Sequence, residues 1–176
     1  MKTKILLVVL VLVIPLMGFD CVNSPIVVAL SLKPFNATYD INQGSNKSPY
    51  LGTTTIDPRT LYDNSYDLTG ASVYDIKVQT IGPDLGTCSG TVTITSGGVT
   101  NVLFTYSGAW TAFNTAQSLL SSGLITKNMT GVNQLIAAVQ NKEVVTLAGS
   151  ASITASNVPT GCSVAVSAYV QAYGSL

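Results

Sequence analysis

The sequence predicts a mainly β fold, an antiparallel β-sandwich of about seven strands with one or two short helices, preceded by a signal peptide. Three observations predict it. Short alternations of apolar and polar residues recur along the chain, the two-residue period of strands with one wet face. Turn signals rich in Gly, Pro, Asn and Ser separate these runs. The best helical spacing lies near 130–141, where Val132, Leu135, Ile136 and Val139 form one apolar stripe.

The chain opens with Lys2 and Lys4, then the apolar run from Ile5 to Met17, with Pro15 and Gly18 near its end. A basic start and a short apolar stretch make an export signal, and the run is too short for a membrane-spanning helix. Residues 1–20 are therefore expected to be the signal peptide and 21–176 a single domain, secreted or held at the cell surface with no transmembrane helix in the mature chain.

Ile26 to Leu32 reads as a first strand, broken by Lys33-Pro34, and Asn42 to Ser48 as a polar turn. Tyr50 to Ile56 reads as a strand. Asp57-Pro58-Arg59-Thr60-Leu61 reads as a helical turn capped by Asp57, with Pro58 at its first position. Ala71 to Ile81 is the clearest strand, with Tyr74, Ile76 and Val78 expected on one face and Asp75, Lys77 and Gln79 on the other. Cys88 to Ser96 turns Cys88, Val92 and Ile94 inward and Thr91, Thr93 and Thr95 outward. Gly97-Gly98 signals a hairpin, and Thr100 to Ser107 returns with Val102, Phe104 and Tyr106 on one face. A short helix is expected over Thr115 to Ser121, and a longer one over Thr130 to Asn141 with Thr130 as its cap. Glu143 to Ile153 and Cys162 to Ala172 supply the last strands, joined through Pro159-Thr160-Gly161.

Composition narrows the function classes. Charged residues make up 9% of the chain, against about a quarter in ordinary domains. Two of the eight basic residues fall in the signal, so the remainder is slightly acidic. It carries no basic patch to neutralise phosphates, which argues against nucleic-acid binding. Histidine is absent, Glu143 is the only Glu and Arg59 the only Arg. A Ser-His-Asp arrangement and a His-ligated zinc site cannot be built from these residues. The expectation is a protein that is not an enzyme, with no cofactor and no assigned catalytic or metal residue.

Three cysteines remain to be placed. Cys88 and Cys162 each open a strand after a turn, and export favours a disulfide between them; the alternative is two buried free thiols. Cys21 stands directly behind the signal, where it is lipidated, free, or linked to another chain. Asp20 and Gly18 depart from a lipoprotein signal, so a lipid anchor is not the favoured outcome. Asp63-Asn64-Ser65-Tyr66-Asp67 spaces oxygen ligands as calcium loops do, without their glycine and terminal glutamate; a solvated turn is the simpler reading. Tyr62, Tyr66, Tyr74, Tyr106 and Trp110 are candidates for a ligand groove, with core packing the simpler explanation of the last three. Tyr169 and Tyr173 fall on the opposite face of the last strand from Val166 and Val170. Together with Ile26 and Val28, which either pair within the domain or complete a neighbour's sheet, they are candidate subunit contacts.

The strand ASVYDIKVQTIGPDLG, the segment FTYSGAWTAFNTAQSLL and the stretch GVNQLIAAVQNKEVVTLAG follow one another in an order and pattern that resembles small exported bacterial β-sandwich proteins of unknown function. More distantly the layout is similar to the LEA14-like and fibronectin-type sandwich group. That resemblance implies a passive protective or apolar-ligand role and carries over no active-site residue. The expected function is that of a non-enzymatic exported structural protein of the cell surface or extracellular matrix, with a self-assembling fibre subunit as one form of it. Its expected partners are copies of itself or other surface components. The alternative is a binding module for a lipid or other apolar ligand, held between the sheet and the helix near 130–141.

Overall fold

The computed structural model describes residues 27–31, 33–41, 50–61 and 67–175. The signal segment, Cys21, Ile26, the turn at 42–48, Tyr62, Asp63 and Tyr66 lie outside them. The described chain is mainly β. Its strands are β1 (Val27–Ser31), β2 (Phe35–Ile41), β3 (Tyr50–Ile56), β4 (Asp67–Ile81), β5 (Thr87–Ser96), β6 (Val99–Ala109), β7 (Gln117–Ser118), β8 (Ile125–Lys127), β9 (Val145–Ile153) and β10 (Cys162–Ser175). One α-helix, α1 (Met129–Gln140), interrupts them. The strands form two antiparallel sheets. The first runs β1-β10-β4-β7 with β2 also on β10; the second runs β3-β9-β5-β6-β8.

The break at Lys33-Pro34 divides one side of the first sheet into two strands. β1 pairs with the end of β10, Val28 opposite Gly174, and β2 pairs with its beginning, Ile41 opposite Cys162. The described part of the first apolar segment, Val27–Ser31, thus pairs inside the first sheet. β2 is a strand the sequence reading passed over, although Phe35, Ala37, Tyr39 and Ile41 alternate with polar residues and all four are buried. β10, last in the chain, lies inside its sheet, between β1 and β2 on one side and β4 on the other.

Several local expectations hold. Asp57 caps the 3-10 turn Pro58–Thr60, its Oδ1 accepting from the Arg59 N–H at 2.9 Å. Gly97 and Gly98 both take positive φ, 55° and 78°, the backbone a two-residue hairpin between β5 and β6 demands. Cys88, Val92 and Ile94 point into the core, as do Phe104 and Tyr106.

Three expectations are corrected. The strand β4 does not alternate without interruption. Its register against β10 slips at Tyr74, which opposes no residue between the pairs Val73–Val170 and Asp75–Tyr169. This bulge turns Tyr74 out, 47% exposed, while Asp75 is 6% exposed. The segment 115–121 is not helical. The chain makes a 3-10 turn at Trp110–Phe113, and Gln117–Ser118 then pairs with Val78 and Lys77 as β7. The cap of α1 is Asn128, not Thr130; its side chain accepts from the N–H groups of Thr130 (3.0 Å) and Gly131 (3.4 Å).

The core lies between the sheets. Ile76, Val78, Val164, Val166 and Val170 of the first sheet face Val92, Ile94, Phe104, Val145 and Leu147 of the second. α1 packs against both β4 and β6 and closes one side, burying Val132, Leu135, Ala138 and Val139. Ile136, expected in this stripe, is only partly buried. Trp110 and Phe113 are fully enclosed.

Candidate functional site

Cys88 and Cys162 are free thiols, both buried, so the expected disulfide is absent. Each starts a strand in a different sheet and fills a place of its own. Cys162 Sγ lies against Gly82, where an added Cβ would come within 2.9 Å of it. Cys88 sits beside the Tyr106 hydroxyl, and burial pushes its thiol up to about 11. So protonated a thiol is a poor nucleophile, and these two cysteines behave as small core residues. Among the described residues no three Cys, Asp or Glu side chains gather where they could hold one metal ion. Asp57 is committed to Arg59, whose hydrogen bonds hold its carboxyl below the usual range.

Of the two tyrosines expected as subunit contacts, Tyr169 meets Tyr74 on the outer face of the first sheet and Tyr173 stands apart from both. The bulge sets Tyr74 beside Tyr169, ring centroids 5.9 Å apart. Lys77 Nζ lies over the Tyr169 ring, 4.8 Å from its centre, a cation–π contact. Tyr173 lies further along β10, its ring against Gly70 and its carbonyl accepting from the Thr69 hydroxyl. Ala29 of β1, exposed, pairs with Tyr173. Beside this patch the buried Asp75 carboxylate accepts from the Ser118 hydroxyl (2.7 Å) and the Ile76 N–H (2.8 Å), which fastens β7 to β4. Tyr106 and Trp110 belong to the core.

The second sheet presents a different surface. Its five strands carry a single charged residue, Lys127. Across its outer face Ser and Thr align in rows, since residues paired across antiparallel strands share a face. One row runs Ser150, Thr91, Thr105 and Thr126; the next runs Ser152, Ser89 and Ser107. These rows line an open groove of about 450 Å³, with Gly123 and Leu124 completing its wall. Gly90 lets Tyr106 reach the groove from beneath: a Cβ there would collide with the Tyr106 hydroxyl, which donates to the Ser150 carbonyl at 3.1 Å. The alternation of Thr along each strand is visible in the sequence; which strands adjoin is not.

No family model matches the sequence, and no curated protein matches it. Among solved structures, one from turnip yellow mosaic virus aligns over 87% of this chain and 96% of its own, at 16% identity and a TM-score of 0.36. Another, from desmodium yellow mottle tymovirus, aligns over 88% of this chain and 90% of its own, at 10% identity and a TM-score of 0.33. Such scores assign this chain to neither fold. No helix among the described residues is long and apolar enough to cross a membrane.

Proposed function

We propose that this protein is an exported, non-enzymatic structural component of a cell surface or extracellular matrix that associates with copies of itself. The observation that carries the proposal is the tyrosine patch on the outer face of the first sheet. Tyrosine is enriched at the buried centres of interfaces, where a ring supplies area and a hydroxyl supplies a hydrogen bond. Here a bulge delivers Tyr74 to the surface beside Tyr169. The contact is face to face and needs no exchange of β1, which is already paired.

Sedimentation of the mature chain over a range of concentrations tests this. The mass should rise with concentration, and Tyr74→Lys should return it to that of a monomer; ordered fibres in negative stain would extend the reading to a filament. A monomer at every concentration refutes the proposal, as does assembly indifferent to Tyr74→Lys. The alternative of an apolar ligand beneath the helix gains no support, since Leu135, Ala138 and Val139 fill that space themselves.

A further inference from the structure

We propose that the groove on the outer face of the second sheet binds an uncharged glycan strand. The proposal goes beyond self-association and rests on the opposite surface of the sandwich. Its first support is how the hydroxyls on this face are used. Outside the groove, with the exception of Thr53, they are engaged within the protein: Thr95 with Thr100 at 2.7 Å, Thr55 with Thr146 at 3.4 Å, and Thr93 donating to the Ala148 carbonyl at 3.2 Å. Inside the groove Ser150 bonds the backbone of Thr91. The hydroxyls of Ser89, Thr91, Thr105, Ser107, Thr126 and Ser152 have no hydrogen-bond partner among the described residues. Residues of the same kind on the same face thus divide into a paired set and an open set, and all of the open set but Thr53 gathers at the concavity.

The second support is charge. Among the described residues no ionisable side chain other than the Tyr106 phenol lines the groove, and burial raises that group, so it stays neutral. An anionic ligand would find no counter-charge, and a hard cation would find only neutral alcohol oxygens where it prefers carboxylates. An acyl chain would meet hydroxyls that it could not satisfy. A neutral polyol both donates and accepts, as each Ser and Thr does. Adjacent strands lie about 4.7–4.9 Å apart, so successive hydroxyls along a row are spaced on the scale of one pyranose unit. Leu124 adds an apolar surface for the C–H groups of a ring.

The test is an NMR titration of the isotope-labelled mature chain with neutral tetrasaccharides of glucose and of N-acetylglucosamine, and with an oligogalacturonate of equal length. At least one neutral tetrasaccharide should shift the amides of Ser89, Thr91, Thr105 and Ser107 at millimolar concentration, and the anionic one should not. Thr91→Val and Thr105→Val keep the β-branched shape; each should weaken binding about 2- to 10-fold, the value of one hydrogen bond. Thr93→Val, whose hydroxyl is already engaged, should leave it unchanged. Absence of shifts with both neutral sugars overturns the proposal. Equal binding of the oligogalacturonate, affinity untouched in Thr91→Val/Thr105→Val, or shifts confined to Tyr74 and Tyr169 overturn it as well. The same titration on Tyr74→Lys separates it from self-association, since that variant leaves the groove intact.

Discussion

Replacing Gly149 by alanine should destabilise the domain through a single contact, Tyr39. Gly149 pairs with Gly52 across β9 and β3, and the Tyr39 ring from β2 of the opposing sheet lies over this glycine pair. A Cβ at 149 would fall 2.7 Å from Tyr39 Cδ2 and closer still to Cε2 and Cζ. Ordinary contact begins near 3.4 Å, so the ring must retreat by roughly 1 Å. It has little room, because it is 1% exposed and also rests on Gly52. Overpacking of this kind costs about 1–3 kcal/mol, and removing a flexible glycine returns about 0.4–1 kcal/mol of it. The net loss of about 1–2 kcal/mol corresponds to roughly 2–8 °C in melting temperature for a domain of this size. A double-mutant cycle assigns the cause. Tyr39→Leu keeps the apolar stem and removes Cε2 and Cζ, so in that background Gly149→Ala should cost less than about 0.5 kcal/mol. Thermal and urea denaturation of the four proteins measure this. Equal cost of Gly149→Ala in both backgrounds would show that the ring over Gly149 is not what forbids a side chain there.

Other outcomes follow from the same core. The Tyr39 hydroxyl is buried without a partner among the described residues, whereas that of Tyr106 bonds the Ser150 carbonyl; Tyr39→Phe should therefore be neutral or stabilising and Tyr106→Phe destabilising, each by about 1 kcal/mol in urea titrations. Burial raises the Cys88 thiol from 9.0 to about 11 and raises Tyr39 and Tyr106 in the same direction. A raised folded-state value favours the fold fully below the unfolded value, and that contribution is lost as pH climbs through the folded one. The denaturation midpoint should thus fall as pH rises from 9 toward 11, and less steeply in Cys88→Ala; a flat midpoint would contradict the burial. Asn128→Ala removes the cap of α1 and should cost about 1 kcal/mol, whereas Thr130→Ala should cost less.

What the sequence discloses is what neighbouring residues decide among themselves. The alternation in 88–96, 145–153 and 162–172 and the capped turn at Asp57 depend only on local chemistry, and they were legible. β2 was legible as well, in the spacing of Phe35, Ala37, Tyr39 and Ile41, but a short run after a proline carries little signal beside longer ones. The exposure of Tyr74 was not. A bulge is a relation between two strands, and nothing within Ala71–Ile81 marks which residue is left over when it pairs with β10. The separate placement of Cys88 and Cys162 has the same origin, since like sequence contexts at two strand starts say nothing about which sheet each strand joins. The groove was half legible: alternate Ser and Thr were visible on each strand, and only the order β9-β5-β6-β8 assembles them into rows.

The low charge of this chain has its own source in the fold. Threonine is β-branched and suits a pleated strand, and its hydroxyl keeps the outer face wet without a charge. A sheet surfaced with threonine is therefore neutral whether or not it meets a second copy, and neutrality by itself favours neither association nor solitude. The specific support for association is Tyr74, because an exposed ring created by a bulge is not required by the strand that bears it. The two outer faces share no residue and stand apart by at least the roughly 10 Å between packed sheets. Their properties should separate on mutation. Tyr74→Lys should abolish assembly and spare glycan binding, whereas Thr91→Val with Thr105→Val should weaken glycan binding and leave assembly intact. A variant on one face that disabled both properties while retaining the wild-type melting temperature would mean that one surface serves both, and the division of the sandwich into an associating face and a glycan face would fail.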